Sequence, residues 1–191
     1  MKPDRLLPLT PFGPAAAGAT SILRAGAERA GTCVRLRYVL GGPMAAVRIP
    51  AQTTNPLRTE RLWERTCFEA FLAPVGGDAY WELNLSPSGD WNVYRFDRHR
   101  EGIRPEARVR APRIALERAS CGTLTLHAEL DLAPLAELAS VPLDVGLAAV
   151  LEACDGTRSY WALEHAAERP DFHRRESFVL RLELACHRRR Q

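Results

Sequence analysis

The chain has 191 residues, 46% hydrophobic and 26% charged, with a formal net charge of +3. That is the composition of an ordinary soluble globular protein, which excludes a disordered or membrane-embedded chain, and so small a net charge gives no ground for a nucleic-acid partner. A chain of this length suits a single domain over 1–191 that buries roughly 70% of its unfolded surface.

Arginine is used almost to the exclusion of lysine, whose only representative is Lys2, and a short basic run, His187 to Gln191, closes the sequence. Together with the many alanines this reads as compositional habit and a solvated tail. Five cysteines, Cys33, Cys67, Cys121, Cys154 and Cys186, are scattered singly with no CxxC spacing, which favours a reducing cytoplasm over a disulfide framework. Pro3, Pro8, Pro11 and Pro14 interrupt the moderately apolar start, so no signal-peptide core forms, and no stretch approaches the roughly 20 apolar residues of a spanning helix. A cytoplasmic protein with no membrane partner is the expectation.

In chain order, Val34, Leu36, Tyr38 and Leu40 share one face of a strand that ends at Gly41-Gly42-Pro43, with Ala45 to Ile49 as its expected hairpin partner. A polar stretch from Pro50 to Leu62 follows, read as a long loop. From Thr66 to Leu72, Cys67, Glu69 and Phe71 alternate with Phe68 and Ala70. Next comes a hairpin of Tyr80 to Leu85 and Trp91 to Phe96 around Ser86-Pro87-Ser88-Gly89-Asp90. Trp81, Leu83 and Leu85 alternate with Tyr80, Glu82 and Asn84, then Trp91, Val93 and Arg95 with Asn92, Tyr94 and Phe96. Apolar rows recur at Leu124 to Leu130, Val145 to Leu151 and Phe178 to Leu184, and Asp131 to Leu138 carries one short helix. Ala166 to Glu176 forms a second long loop. Roughly ten strands with one minor helix predict an all-β, antiparallel, two-sheet β-sandwich.

Chemistry concentrates where rings meet polar groups. Glu69 and Glu82, if on neighbouring strands, form the kind of carboxylate pair that divides acid and base duties in glycoside hydrolysis; otherwise each is a solvated or arginine-paired surface group. The tryptophans Trp63, Trp81, Trp91 and Trp161 serve either as core packing or as platforms for a ligand. His165, Asp171, His173 and Cys154 match no zinc spacing, so no metal is expected, and Cys67 has no histidine base beside it in sequence.

The segments Leu62 to Phe71, Tyr80 to Phe96, Tyr160 to His165 and Pro170 to His173 together resemble the bacterial DOMON-like domain proteins, related to the DOMON superfamily and to family 9 carbohydrate-binding modules. The resemblance runs from about Val34 to Phe178 and implies a β-sandwich of jelly-roll or immunoglobulin-like character. Members of that superfamily bind haem or sugars. Haem in such domains takes an axial Met and His, whereas this chain has only Met1 and Met44, so no cofactor is expected. Sugar-binding relatives hold a sugar between two tryptophans.

These features lead to a non-catalytic binding module for a small polar ligand, a sugar or sugar-derived metabolite. Trp91, Tyr94 and Trp161 form the expected apolar floor, Glu82, Asn84 and Arg95 the polar rim, and His165 and His173 sit on a closing loop. Two alternatives stand beside it: a glycoside or ester hydrolase using Glu69 and Glu82, and a protein-interaction domain that meets its partner through the aromatic patch.

Overall fold

A computed structural model describes residues 5–13, 21–119 and 122–184; Cys121, Cys186 and the basic tail lie outside the described residues. Its strands are β1 (Leu7–Pro11), β2 (Ile22–Ala30), β3 (Cys33–Gly41), β4 (Cys67–Pro74), β5 (Tyr80–Leu85), β6 (Trp91–Phe96) and β7 (Arg104–Pro105). They continue with β8 (Arg113–Arg118), β9 (Leu124–Asp131), β10 (Leu143–Glu152), β11 (Arg158–Ala162) and β12 (Leu180–Leu182), and the one α-helix among the described residues is α1 (Ala136–Ala139).

The architecture is all-β and antiparallel, but the strands join edge to edge as one sheet where alternation alone predicts two. Its order is β7-β6-β5-β4-β10-β11-β1-β2-β3-β9-β8, with β12 beside β10. The joint is β1. Its last residues pair with β11, through Thr10 opposite Ala162 and Pro11 opposite Trp161, while Leu7 to Leu9 pair with β2. One short strand thus belongs to both wings. The proline-broken start of the chain gives little sign of this, because a five-residue strand has almost no periodicity to read.

The sheet curls over on itself so that the wings share one core. Leu36, Tyr38 and Leu40 of β3 meet Phe68, Ala70 and Leu72 of β4 and Trp81, Leu83 and Leu85 of β5 in that core. The Tyr38 and Phe68 rings lie 5.1 Å apart, and the Tyr38 hydroxyl donates to the Glu69 backbone carbonyl at 2.6 Å, so the buried phenol is satisfied. Trp81 donates its indole N–H to the Glu106 carboxylate at 3.0 Å, and Arg108 holds that carboxyl down at about 2.

Two local expectations shift. Ala45 to Ile49 is no hairpin partner for β3: Pro43 leads into a 3₁₀ turn over Met44–Ala46, and β3 pairs instead with β2 and β9. The helix starts later than Asp131, whose carboxylate accepts the Ala133 N–H at 2.9 Å and so shapes the preceding turn. Arg29 of β2 donates to the Leu138, Ala139 and Val141 carbonyls, which satisfies the open end of α1.

One feature of the fold positions the site. Every residue of β5 is buried, and β4 is buried up to Pro74, so this pair is covered on both faces although an antiparallel sheet commonly leaves one face to water. The inner face meets the core. Over the outer face lie Trp63, just past the first long loop, Phe172 and His173 of the second, and Phe178 just beyond it, packed on Phe71, Tyr80, Phe96 and Val150. Gly146 of β10 makes this possible: a Cβ there would come within 2.8 Å of the Phe178 ring, which lies against the bare backbone.

Candidate functional site

Between the outer face of the sheet and the two loops lies a cavity of about 300 Å³. Its floor carries Glu69 from β4 and Glu82 from β5, with Phe96 of β6 and Val150 of β10 beside them; Trp63, Tyr160 and Phe172 form aromatic walls. Arg100 and Ile103, from the turn after β6, stand at the rim with His173. Strand register explains the floor. Glu69 pairs with Asn84 across β4 and β5, and Glu82 lies two residues from Asn84 on the same face, so the two carboxylates are diagonal neighbours.

Both carboxyls are nearly closed off from water, at 3% exposure for Glu69 and 5% for Glu82. Burial drives their titration. Glu69 is pushed well above the ordinary range by desolvation and then by the like charge of Glu82. Glu82 rises to about 7 through desolvation, which the hydrogen bond from Asn84 and the charge of Arg100 offset only in part. Asn84 donates its amide to Glu82 Oε1 at 2.8 Å, and its own Oδ1 faces the Cys67 thiol at 3.6 Å. Burial thus raises both carboxyls, and the like charge of Glu82 raises Glu69 further, so each holds its proton to higher pH than an exposed acid does.

A hydrogen-bond chain fixes the late loop to this floor. The Arg100 backbone N–H donates to the Tyr80 hydroxyl oxygen at 3.1 Å, and the hydroxyl hydrogen then goes to His173 Nδ1 at 2.9 Å. That network assigns the imidazole proton to Nε2, which lies 4.0 Å from Glu82 Oε2. The ring is neutral: burial, and then the charge of Arg100, lowers its pKa to about 3. Asp171 clamps the same loop from outside by accepting from His99 at 2.9 Å and from the Arg100 guanidinium at 3.1 and 2.8 Å. Burial alone would raise the Asp171 carboxyl, but these hydrogen bonds outweigh it and keep it below its ordinary value.

The sequence-expected residues divide between the faces. Glu82 and His173 line the cavity, and Asn84 supports Glu82 from beneath. Tyr94 is on the same outer face, its ring 5.8 Å from that of Trp63, and its hydroxyl accepts from Asn92 at 2.9 Å. Trp91 and Trp161 lie on the opposite face, inside the shared core. Arg58 stacks over the Trp91 ring at 4.3 Å, and Trp161 donates to Ser159 at 2.9 Å. Arg95 also points away from the cavity, stacking 5.2 Å from the Trp81 ring and pairing with Glu137 at 3.5 Å. His165 stands beside the late loop, with Nε2 on the Thr10 carbonyl at 2.9 Å and its ring 6.3 Å from Phe172.

The polar floor residue absent from the expected ligand set is Glu69, and all three aromatic walls, Trp63, Tyr160 and Phe172, are absent from it too. A period-two reading places Glu69 beside Glu82 once β4 and β5 pair. Trp63 and Phe172 are brought in by segments outside the strands, and Tyr160 by the pairing of β11 with β10, placements that alternation does not encode. Among the described residues, no group of three or more His, Cys, Asp and Glu is placed to hold a metal ion.

Solved structures share this fold. A protein described as carbohydrate-binding, from Bacteroides uniformis ATCC 8492, superposes with a TM-score of 0.69 at 16% identity, over 94% of this chain and 85% of that one. A family 9 carbohydrate-binding module from Caldicellulosiruptor kristjanssonii, solved with cellotriose, gives a TM-score of 0.55 at 8% identity, over 94% of this chain and 81% of the module. No family model and no curated protein matches the sequence. What the chain shares with these two proteins is the fold.

Proposed function

We propose that the protein is a non-catalytic binding module for a small carbohydrate, held in the cavity over β4 and β5. One observation carries this reading: a single cavity joins two buried carboxyls, Glu69 and Glu82, to the aromatic walls Trp63 and Tyr160. Rings offer a flat apolar face to the C–H face of a sugar, and carboxyls bond its hydroxyls in a site largely withdrawn from water. The fold likeness to carbohydrate-binding modules supports it. So do the motifs that resemble DOMON-like proteins, two of which supply Trp63, Glu69 and Glu82.

The role expected of Trp91 and Trp161 passes in this proposal to Trp63 and Tyr160. Glu82 and His173 stay in the site, Asn84 acts by holding Glu82, and Tyr94 acts by supporting Trp63. The test is tryptophan fluorescence and thermal melting against mono- and disaccharides, with wild type and Trp63→Ala. A saturable response lost in a folded Trp63→Ala supports the proposal; no response from any sugar overturns it.

Hydrolysis is the second reading, favoured by the mutual influence of the Glu69 and Glu82 carboxyls. Release of nitrophenol from aryl glycosides or esters, abolished by Glu69→Gln and by Glu82→Gln, would establish it.

A further inference from the structure

The charge balance of the cavity says more about the ligand than its shape does. Glu69 and Glu82 both face the cavity, and the cations near them are committed elsewhere. The Arg100 guanidinium is held by Asp171 through two donors, at 3.1 and 2.8 Å, and acts on the acids only from a distance. Arg174 also leans on Asp171, at 3.6 Å, and Arg61 pairs with Glu64. His173 carries no charge, and it spends Nδ1 on Tyr80. Asn84 reaches Glu82 but not Glu69, whose carboxyl has no hydrogen bond or ion pair among the described residues although the residue is 97% buried. A buried, unpaired acid is costly to keep, and the cost falls when a cation arrives.

Building on the carbohydrate-binding proposal, we infer that the cavity selects a ligand bearing a protonated amine, an amino sugar, with its ammonium between Glu69 and Glu82 and its ring against Trp63 and Tyr160. A metal ion is a poorer occupant. Two carboxylates fall short of the six or more oxygens that hard cations gather, and the aromatic walls suit an organic cation, which gains from ring faces as well as from carboxylates.

The test is titration calorimetry with glucosamine, glucose and N-acetylglucosamine near neutral pH on the full chain. Acetylation removes the charge while keeping the ring, so the comparison needs no variant. Glucosamine is expected to bind at least about tenfold more tightly than either neutral sugar, and Glu69→Gln to reduce that preference to about twofold or less. Should Glu69→Gln melt well below the wild type, Glu82→Gln serves in its place. Equal or weaker binding of glucosamine, with glucose still bound in a Trp63-dependent way, overturns the amine selectivity and leaves the carbohydrate reading intact. No binding of any of the three sugars overturns both.

Discussion

Replacing Glu82 with Gln should make the protein more stable, and by an amount that depends on pH. An acid whose folded pKa is raised holds its proton more tightly in the folded state, so its contribution is fully present below the ordinary 4.5 and is lost as pH climbs to about 7. At about 1.4 kcal/mol per pH unit, Glu82 withdraws roughly 3 kcal/mol across that interval. His173 works in the opposite sense. Its pKa is lowered from 6.5 to about 3, so its contribution is present above 6.5 and is lost as pH falls towards 3. The two slopes oppose each other between about pH 4.5 and 6.5, and the wild-type profile is flattened there.

The difference between Glu82→Gln and wild type removes the His173 contribution and isolates the carboxyl. It should be small near pH 4.5, grow to roughly 3 kcal/mol by about pH 8, and exceed that if Glu69 also relaxes once its like-charged neighbour is gone. Asn84 can still donate to the new side-chain carbonyl, so the geometry survives the exchange. Urea unfolding followed by tryptophan fluorescence, at several values between about pH 4.5 and 8, measures the difference. A difference that stays flat across that range, or a variant less stable than wild type at about pH 8, would refute the account of a buried Glu82 with a raised pKa.

Three further outcomes follow from the packing. Trp161→Ala should cost about 3 to 5 kcal/mol by opening the inner core, whereas half-buried Trp63→Ala should cost much less and instead weaken sugar binding about tenfold or more; chemical unfolding and a binding titration separate the two. Gly146→Ala should cost about 1 to 3 kcal/mol, because its Cβ meets the Phe178 ring at 2.8 Å, and Phe178→Ala in the same chain should relieve the clash, as a double-mutant unfolding cycle will show. Asp171→Asn releases Arg100 and loosens the late loop, so backbone hydrogen exchange across 166–176 should speed up while β4 and β5 stay protected.

Much of the site's chemistry is legible in the sequence, and its topology is not. Alternation puts Glu69 with Cys67 and Phe71, and Glu82 with Tyr80 and Asn84, and the structure keeps both rows. The same alternation shows that Trp91 and Tyr94, three residues apart on one strand, cannot share a face, so a floor joining them was never available to β6. What alternation leaves open is which row faces inward. Here polar Glu69, Glu82, Asn84 and Asn92 are buried under loops instead of being solvated, an outcome that depends on where residues 50–65 and 163–179 fold back. The role of β1 as the joint between the wings is likewise a long-range pairing, set by contacts more than 150 residues apart, such as Thr10 with Ala162.

A crystal structure of the protein soaked with a sugar that shifts its melting temperature tests the central claim most directly. Density for the sugar over Glu69 and Glu82, with its ring against Trp63 or Tyr160, is the predicted result. Density elsewhere on the surface, with the cavity free of sugar, would contradict it.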